Sequence, residues 1–138
     1  RQAEVHAVRM GGKGDVTDTN RLWDRQDFGV FATSLTAYEG KVYILRNKGG
    51  IVCVDPATGK PLWESQLPKD ASAYYASPVI AGGILYAARE DGMVFSARIG
   101  SKFELIGEND MGEQILATPV PFDGRLLIRT SESLFCVN

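Results

Sequence analysis

One segment of this chain reads as strand, tight turn, strand, tight turn, strand, tight turn, strand, and the same pattern then recurs. The clear copy runs Ser34-Leu35, then Gly40, Val42-Tyr43, Gly49-Gly50, Val52, Val54-Asp55, Thr58-Gly59-Lys60 and Trp63. Ser34, Ser77 and Thr118 each stand six residues before a turn glycine, at Gly40, Gly83 and Gly124. The steps between those glycines are 43 and 41 residues. Each is followed by an apolar run (Lys41-Val42-Tyr43-Ile44-Leu45, Ile84-Leu85-Tyr86-Ala87-Ala88, Arg125-Leu126-Leu127-Ile128-Arg129), a second turn and a third run ending at Val54, Ser96 and Val137. Four short strands recurring at forty-odd residues are the signature of a β-propeller blade.

The fourth strand is visible at Leu62-Trp63-Glu64-Ser65-Gln66 and, forty residues earlier, at Arg21-Leu22-Trp23-Asp24-Arg25. In the next copy Glu104-Leu105-Ile106-Gly107 takes that slot, with Leu105 expected in place of the tryptophan. Glu4 to Met10 reads as a third strand. The expected fold is therefore all-β, a partial propeller of four-stranded antiparallel blades, about three blades of a seven- or eight-bladed ring. Residues 1–28 end an incomplete blade, 29–70 and 71–112 are full blades, and 113–138 form a three-stranded last blade. This tally leads to the expectation that Asn138 lies near a natural C-terminus, where a distant strand closes the ring, and that Arg1 is not a natural start.

A blade has neighbours on both faces, so its middle strands are apolar almost without interruption. Val52, Val54, Val79, Ile84, Leu85, Val94, Leu126 and Ile128 are the expected core. Glycines at 40, 49, 50, 59, 83, 92 and 124 are expected to supply turn conformations. No helix is expected; the nearest candidate is Asp70 to Tyr75. The formal net charge of -2 gives no basis for a nucleic-acid or anionic-membrane surface. No apolar run reaches the length of a membrane-spanning helix. Cys53 and Cys136 occupy one slot in blades two steps apart, too far for a disulfide. Both are expected to be free and largely buried.

Val54-Asp55, Thr58-Gly59-Lys60 and Trp63 together resemble the tryptophan-docking motif of pyrroloquinoline-quinone-type propeller repeats. The structural docking residues are then Asp55, Thr58, Gly59, Lys60, Trp63 and Trp23. The family includes eight-bladed quinoprotein dehydrogenases and many non-catalytic propellers, among them a scaffold of outer-membrane protein assembly. The resemblance implies a periplasmic or extracellular location. It implies no cofactor residue here: in the dehydrogenases the quinone lies between a tryptophan and a ring of adjacent cysteines, with calcium nearby, and this chain has no adjacent cysteines.

The residues themselves supply no catalytic constellation. Gly11-Gly12-Lys13-Gly14 lacks the spacing and the following helix of a phosphate loop. Asp15, Asp18 and Asn20 lack the rest of a calcium loop and suit local turn capping. His6 is the single histidine, without partners for zinc or a nucleophile. Glu90-Asp91 and Glu108 with Asp110 read as turn carboxylates at the surface. Catalytic, cofactor and metal residues are therefore expected to be none. Tyr74 and Tyr75, with Phe31 and Thr33 one blade earlier and Leu116 and Ala117 one later, are expected at a channel rim. They would either anchor a partner or pack between blades. The reading is a non-enzymatic binding or scaffold module. Its partner is another protein or the remaining blades of the same ring, and an open arc would favour self-association. Two alternatives stand beside it: the C-terminal part of a quinone-dependent dehydrogenase, and a carbohydrate- or peptide-binding propeller of a secreted degradative system.

Overall fold

The computed structural model describes residues 3–138. A two-stranded sheet comes first, β1 (Val5–Val8) paired with β2 (Arg21–Arg25). A four-stranded meander follows: β3 (Thr36–Tyr38), β4 (Lys41–Leu45), β5 (Gly50–Val54) and β6 (Pro61–Gln66). The second meander is β7 (Val79–Ala81), β8 (Ile84–Ala88), β9 (Met93–Arg98) and β10 (Glu104–Asp110). The last sheet has three strands, β11 (Val120–Phe122), β12 (Arg125–Arg129) and β13 (Leu134–Val137). All pairings are antiparallel. These sheets are referred to below as blades.

The first turn of each of the last three blades is a two-residue hairpin with positive φ at both central positions. Glu39 and Gly40 have φ of 46° and 70°, Gly82 and Gly83 57° and 77°, Asp123 and Gly124 47° and 70°. That is the mirror-image turn whose twist matches the flanking strands. Of the glycines expected in turn conformations, Gly50 differs: it lies inside β5 and is not among the positive-φ residues.

Middle strands alternate between two seams, and this explains their unbroken apolar character. Ile44 of β4 packs with Val5, Phe28, Val52 and Val54 toward the first sheet. Tyr43 and Leu45 face the other way, joining Tyr74, Leu85, Ala87 and Phe95 of the next blade. On β8, Ala88 with Tyr86 beside it packs toward Ile115, Leu126 and Ile128 of the last sheet. Each fully buried large side chain contributes about 1.5–3 kcal/mol of transfer free energy. Val79 and Ile84, expected in the core, are only half-buried.

Three further expectations are corrected. A single helical turn, α1 (Thr17–Asn20), sits in the β1–β2 connection, while residues 70–75 form no helix. Asp15 starts that turn by accepting the Thr17 N–H at 3.0 Å. Cys53 is buried and free, but Cys136 is free and exposed, because β13 is the edge of its sheet. Finally, Leu105 does not take the tryptophan's place. Trp63 lies opposite Cys53 in the β5–β6 register, and the equivalent pair on β9–β10 is Gly107 opposite Ser96. The bulged residue beside this position is common to the blades, Leu22, Leu62 and Ile106 in turn; what differs is the β9–β10 connection, one residue longer between Ala97 and Leu105 than its counterpart between Val54 and Pro61.

Candidate functional site

The docking residues form a repeated latch between blades. Asp55 Oδ1 accepts the Ala57 N–H at 2.9 Å and Oδ2 accepts the Thr58 hydroxyl at 2.9 Å, closing the turn that Gly59 completes at φ +68°. Trp23 lies directly on that turn. Its Nε1–H donates to the Pro56 carbonyl at 2.8 Å, and a Cβ added at Gly59 would stand 2.6 Å from its ring. Glycine is thus required there twice, for the left-handed backbone and for the approach of the indole. Arg25 of the same strand donates to the Gly59 carbonyl at 2.9 Å. One blade on, Trp63 repeats the contact through Nε1–H to the Gly100 carbonyl at 3.1 Å. Its ring lies between Tyr43 and Phe103, with centroids at 5.9 and 6.0 Å. Lys60 closes the turn through its backbone carbonyl, which accepts the Asp55 N–H at 3.0 Å.

A second repeated feature lies along the innermost strands. The Ser34 N–H donates to the Ser77 hydroxyl at 2.8 Å, and the Ser77 N–H donates to the Thr118 hydroxyl at 3.1 Å. Thr36 adds a bond from its hydroxyl to the Pro78 carbonyl at 2.6 Å. These bonds pin the segments that enter neighbouring blades side by side. Immediately before them stand Phe31, Tyr75 and Leu116, at 77%, 42% and 55% exposure. Asn47 ties the first two segments together. Its side-chain oxygen accepts the Phe31 N–H at 3.2 Å, and its carbonyl accepts the Tyr74 N–H at 2.9 Å.

The two tyrosines singled out at this rim part company. Tyr74 is buried; its hydroxyl donates to the Pro68 carbonyl at 3.1 Å and its ring sits 6.0 Å from Phe95. Burial pushes its phenol up to about 12. Tyr75 turns outward and remains available to a partner. Thr33, beside it in the earlier blade, is buried and donates to the Leu45 carbonyl at 2.6 Å.

Sequence reasoning missed Arg89. It is buried, lies over the Phe95 ring at 5.1 Å, and donates Nη1–H to the same Pro68 carbonyl at 2.9 Å. Its Nε and Nη2 grip Asp91 at 2.9 and 2.8 Å. That paired geometry holds the Asp91 carboxyl below its ordinary range. Asp91, read as a plain surface carboxylate, is therefore half of a fork-shaped ion pair beneath the rim. The available signal was the recurrence of arginine at the end of the second strand, Arg46 then Arg89.

Elsewhere the chemistry is structural. His6 lies 3.3 Å from Glu4 on the exposed β1 strand. Asn20 donates to the Arg9 and Gly11 carbonyls at 3.0 and 2.8 Å, which closes the glycine-rich loop on itself. Among the described residues no cluster of His, Cys, Asp and Glu could hold a metal ion. No helix among them is long and apolar enough to cross a membrane.

The sequence profile of the family described as outer membrane protein assembly factor BamB matches residues 12–102. A curated protein of that name from Marinobacter adhaerens is 28% identical over 90 residues, covering 65% of this chain and 22% of that protein. Among solved structures, BamB from Moraxella catarrhalis is 18% identical with a TM-score of 0.69, over 89% of this chain and 35% of that one. The quinohemoprotein alcohol dehydrogenase from Comamonas testosteroni is 18% identical with a TM-score of 0.57, over 72% of this chain and 17% of that one. At such identities both structures establish the shared propeller fold alone. The chain spans less than a quarter of the curated relative's length.

Proposed function

Because the chain belongs to the outer membrane protein assembly factor BamB family of propeller repeats, we propose that it serves as a protein-binding scaffold in the bacterial envelope, with a partner engaged in outer-membrane protein assembly. The observation that carries this reading is the row of outward apolar side chains, Phe31, Tyr75 and Leu116, on three successive blades. Scattered exposed apolar residues are ordinary; a row of them on a stiff frame is the form a binding hot spot takes. The hydroxyl bonds from Ser34 through Ser77 to Thr118 tie together the segments that carry these side chains, so a partner meets a preorganised surface.

The residues of the rim suit binding more than chemistry. Tyr74 is locked in a seam, Asp91 is held by Arg89, and Phe31, Tyr75 and Leu116 are left exposed. The test is site-specific photocross-linking from Tyr75 in cells, in parent chain and in a variant carrying Phe31→Ser and Leu116→Ser. A discrete cross-link to an envelope protein of the assembly machinery is expected, lost in the variant while its thermal unfolding is unchanged. Cross-links that ignore the two substitutions, or reach only proteins outside the envelope, would refute the reading.

A further inference from the structure

The seams of this molecule are filled unequally. The first is closed by the indole of Trp23 and the second by that of Trp63, each donating to a carbonyl of the next blade. In the third, between β7–β10 and β11–β13, the equivalent position is Gly107, opposite Ser96. A cleft of about 800 Å³ opens there. Tyr86, Val94 and Ser96 form one wall, and Pro121, Leu126 and Ile128 the other. That volume is within the range of small-molecule sites, about 300–1,000 Å³.

We propose that this third seam is a binding site for a flat aromatic ligand of indole size, received where a tryptophan stands in the other two seams. The repeat itself identifies the ligand class. Tyr43, one blade earlier, meets the Trp63 ring at 5.9 Å. Tyr86 holds the same register position, since Tyr43 pairs with Cys53 and Tyr86 with Ser96. Among the described residues no ring pairs with Tyr86. A guest ring gains that tilted aromatic contact together with the apolar walls. The Ser96 hydroxyl and the Asn109 carboxamide also line the cleft, and either can accept an N–H from the guest. The inference rests on the repeat geometry and is independent of the protein-binding reading.

The test is titration of the intact chain with indole alone, followed by backbone amide and side-chain resonances. Saturable shifts are expected at Tyr86, Ser96, Gly107 and Ile128, with none at Tyr43 and Cys53, whose seam Trp63 fills. Intermolecular NOEs from indole protons to the Tyr86 ring and Leu126 methyls are expected in the unsubstituted chain. A Gly107→Trp chain, with Ser96→Ala to remove the serine oxygen that would stand 2.5 Å from a Cβ at 107, should bind indole at least tenfold more weakly. NOEs to other regions, shifts that never saturate, or a folded double variant that binds as tightly as the parent would overturn the proposal. If the double variant does not fold, the NOE map decides alone.

Discussion

The backbone N–H of Ser34 donates to the hydroxyl of Ser77, 2.8 Å away and 43 residues along the chain. The Ser77 N–H repeats the donation to Thr118 at 3.1 Å. A residue type that recurs at the blade period thus serves its neighbour instead of its own blade. This is why the Ser/Thr position is part of the repeat at all.

Removing that acceptor leaves a backbone donor without a partner. Ser77→Ala is expected to destabilise the chain by about 1 kcal/mol. Urea unfolding measures the loss. Hydrogen exchange at the Ser34 amide should accelerate while the amides of β9 keep their protection. Unchanged exchange at Ser34 would show that the hydroxyl is not its partner in solution.

The tryptophan latch should be costlier to break. Trp63→Ala empties a seam between Tyr43 and Phe103 and orphans the Gly100 carbonyl. About 3 kcal/mol is expected. Gly59→Ala strains a backbone at φ +68° and drives a methyl into the Trp23 ring, for about 2 kcal/mol. Chemical denaturation of each variant checks both values, and Trp23 fluorescence should shift in Gly59→Ala.

The Arg89–Asp91 pair makes stability depend on pH in the acid range. Bonding to Arg89 lowers the Asp91 carboxyl from its ordinary 3.8. Its contribution is therefore complete above the unfolded value of about 3.9 and is lost as pH falls through the lower folded value. Asp91→Asn leaves the buried guanidinium without its counter-charge and should cost about 2–3 kcal/mol at neutral pH. The variant should also lose part of the parent's decline in stability under acid. Parallel stability-versus-pH curves for the two chains would contradict the assignment.

The two thiols should react at very different rates. Cys136 is exposed and should be alkylated in the native state. Cys53 is buried, and burial raises its thiol pKa, so it should react only on unfolding. Mass spectrometry of a timed alkylation distinguishes the sites; equal rates would count against the sheet assignment of β5 and β13.

The strand pattern, the hairpin glycines, the tryptophan latches and the family of the repeat were all legible in the order of residues. Each rests on short-range rules: alternating seams make a middle strand apolar, and a mirror-image turn requires positive φ. Three things were decided only when the sheets met. A β9–β10 connection one residue longer than its β5–β6 counterpart put Gly107, not Leu105, in the tryptophan's place, because register depends on pairing and not on spacing. Tyr74 and Tyr75, adjacent and identical in type, took opposite fates because Phe95 and the Pro68 carbonyl of the seam receive the first and leave the second in solvent. Arg89 and Asp91, two residues apart in a turn, became a buried fork only because Phe95 and the Pro68 carbonyl closed around the guanidinium. Local sequence sets what a strand is made of; the neighbouring sheet sets which of its side chains meet water.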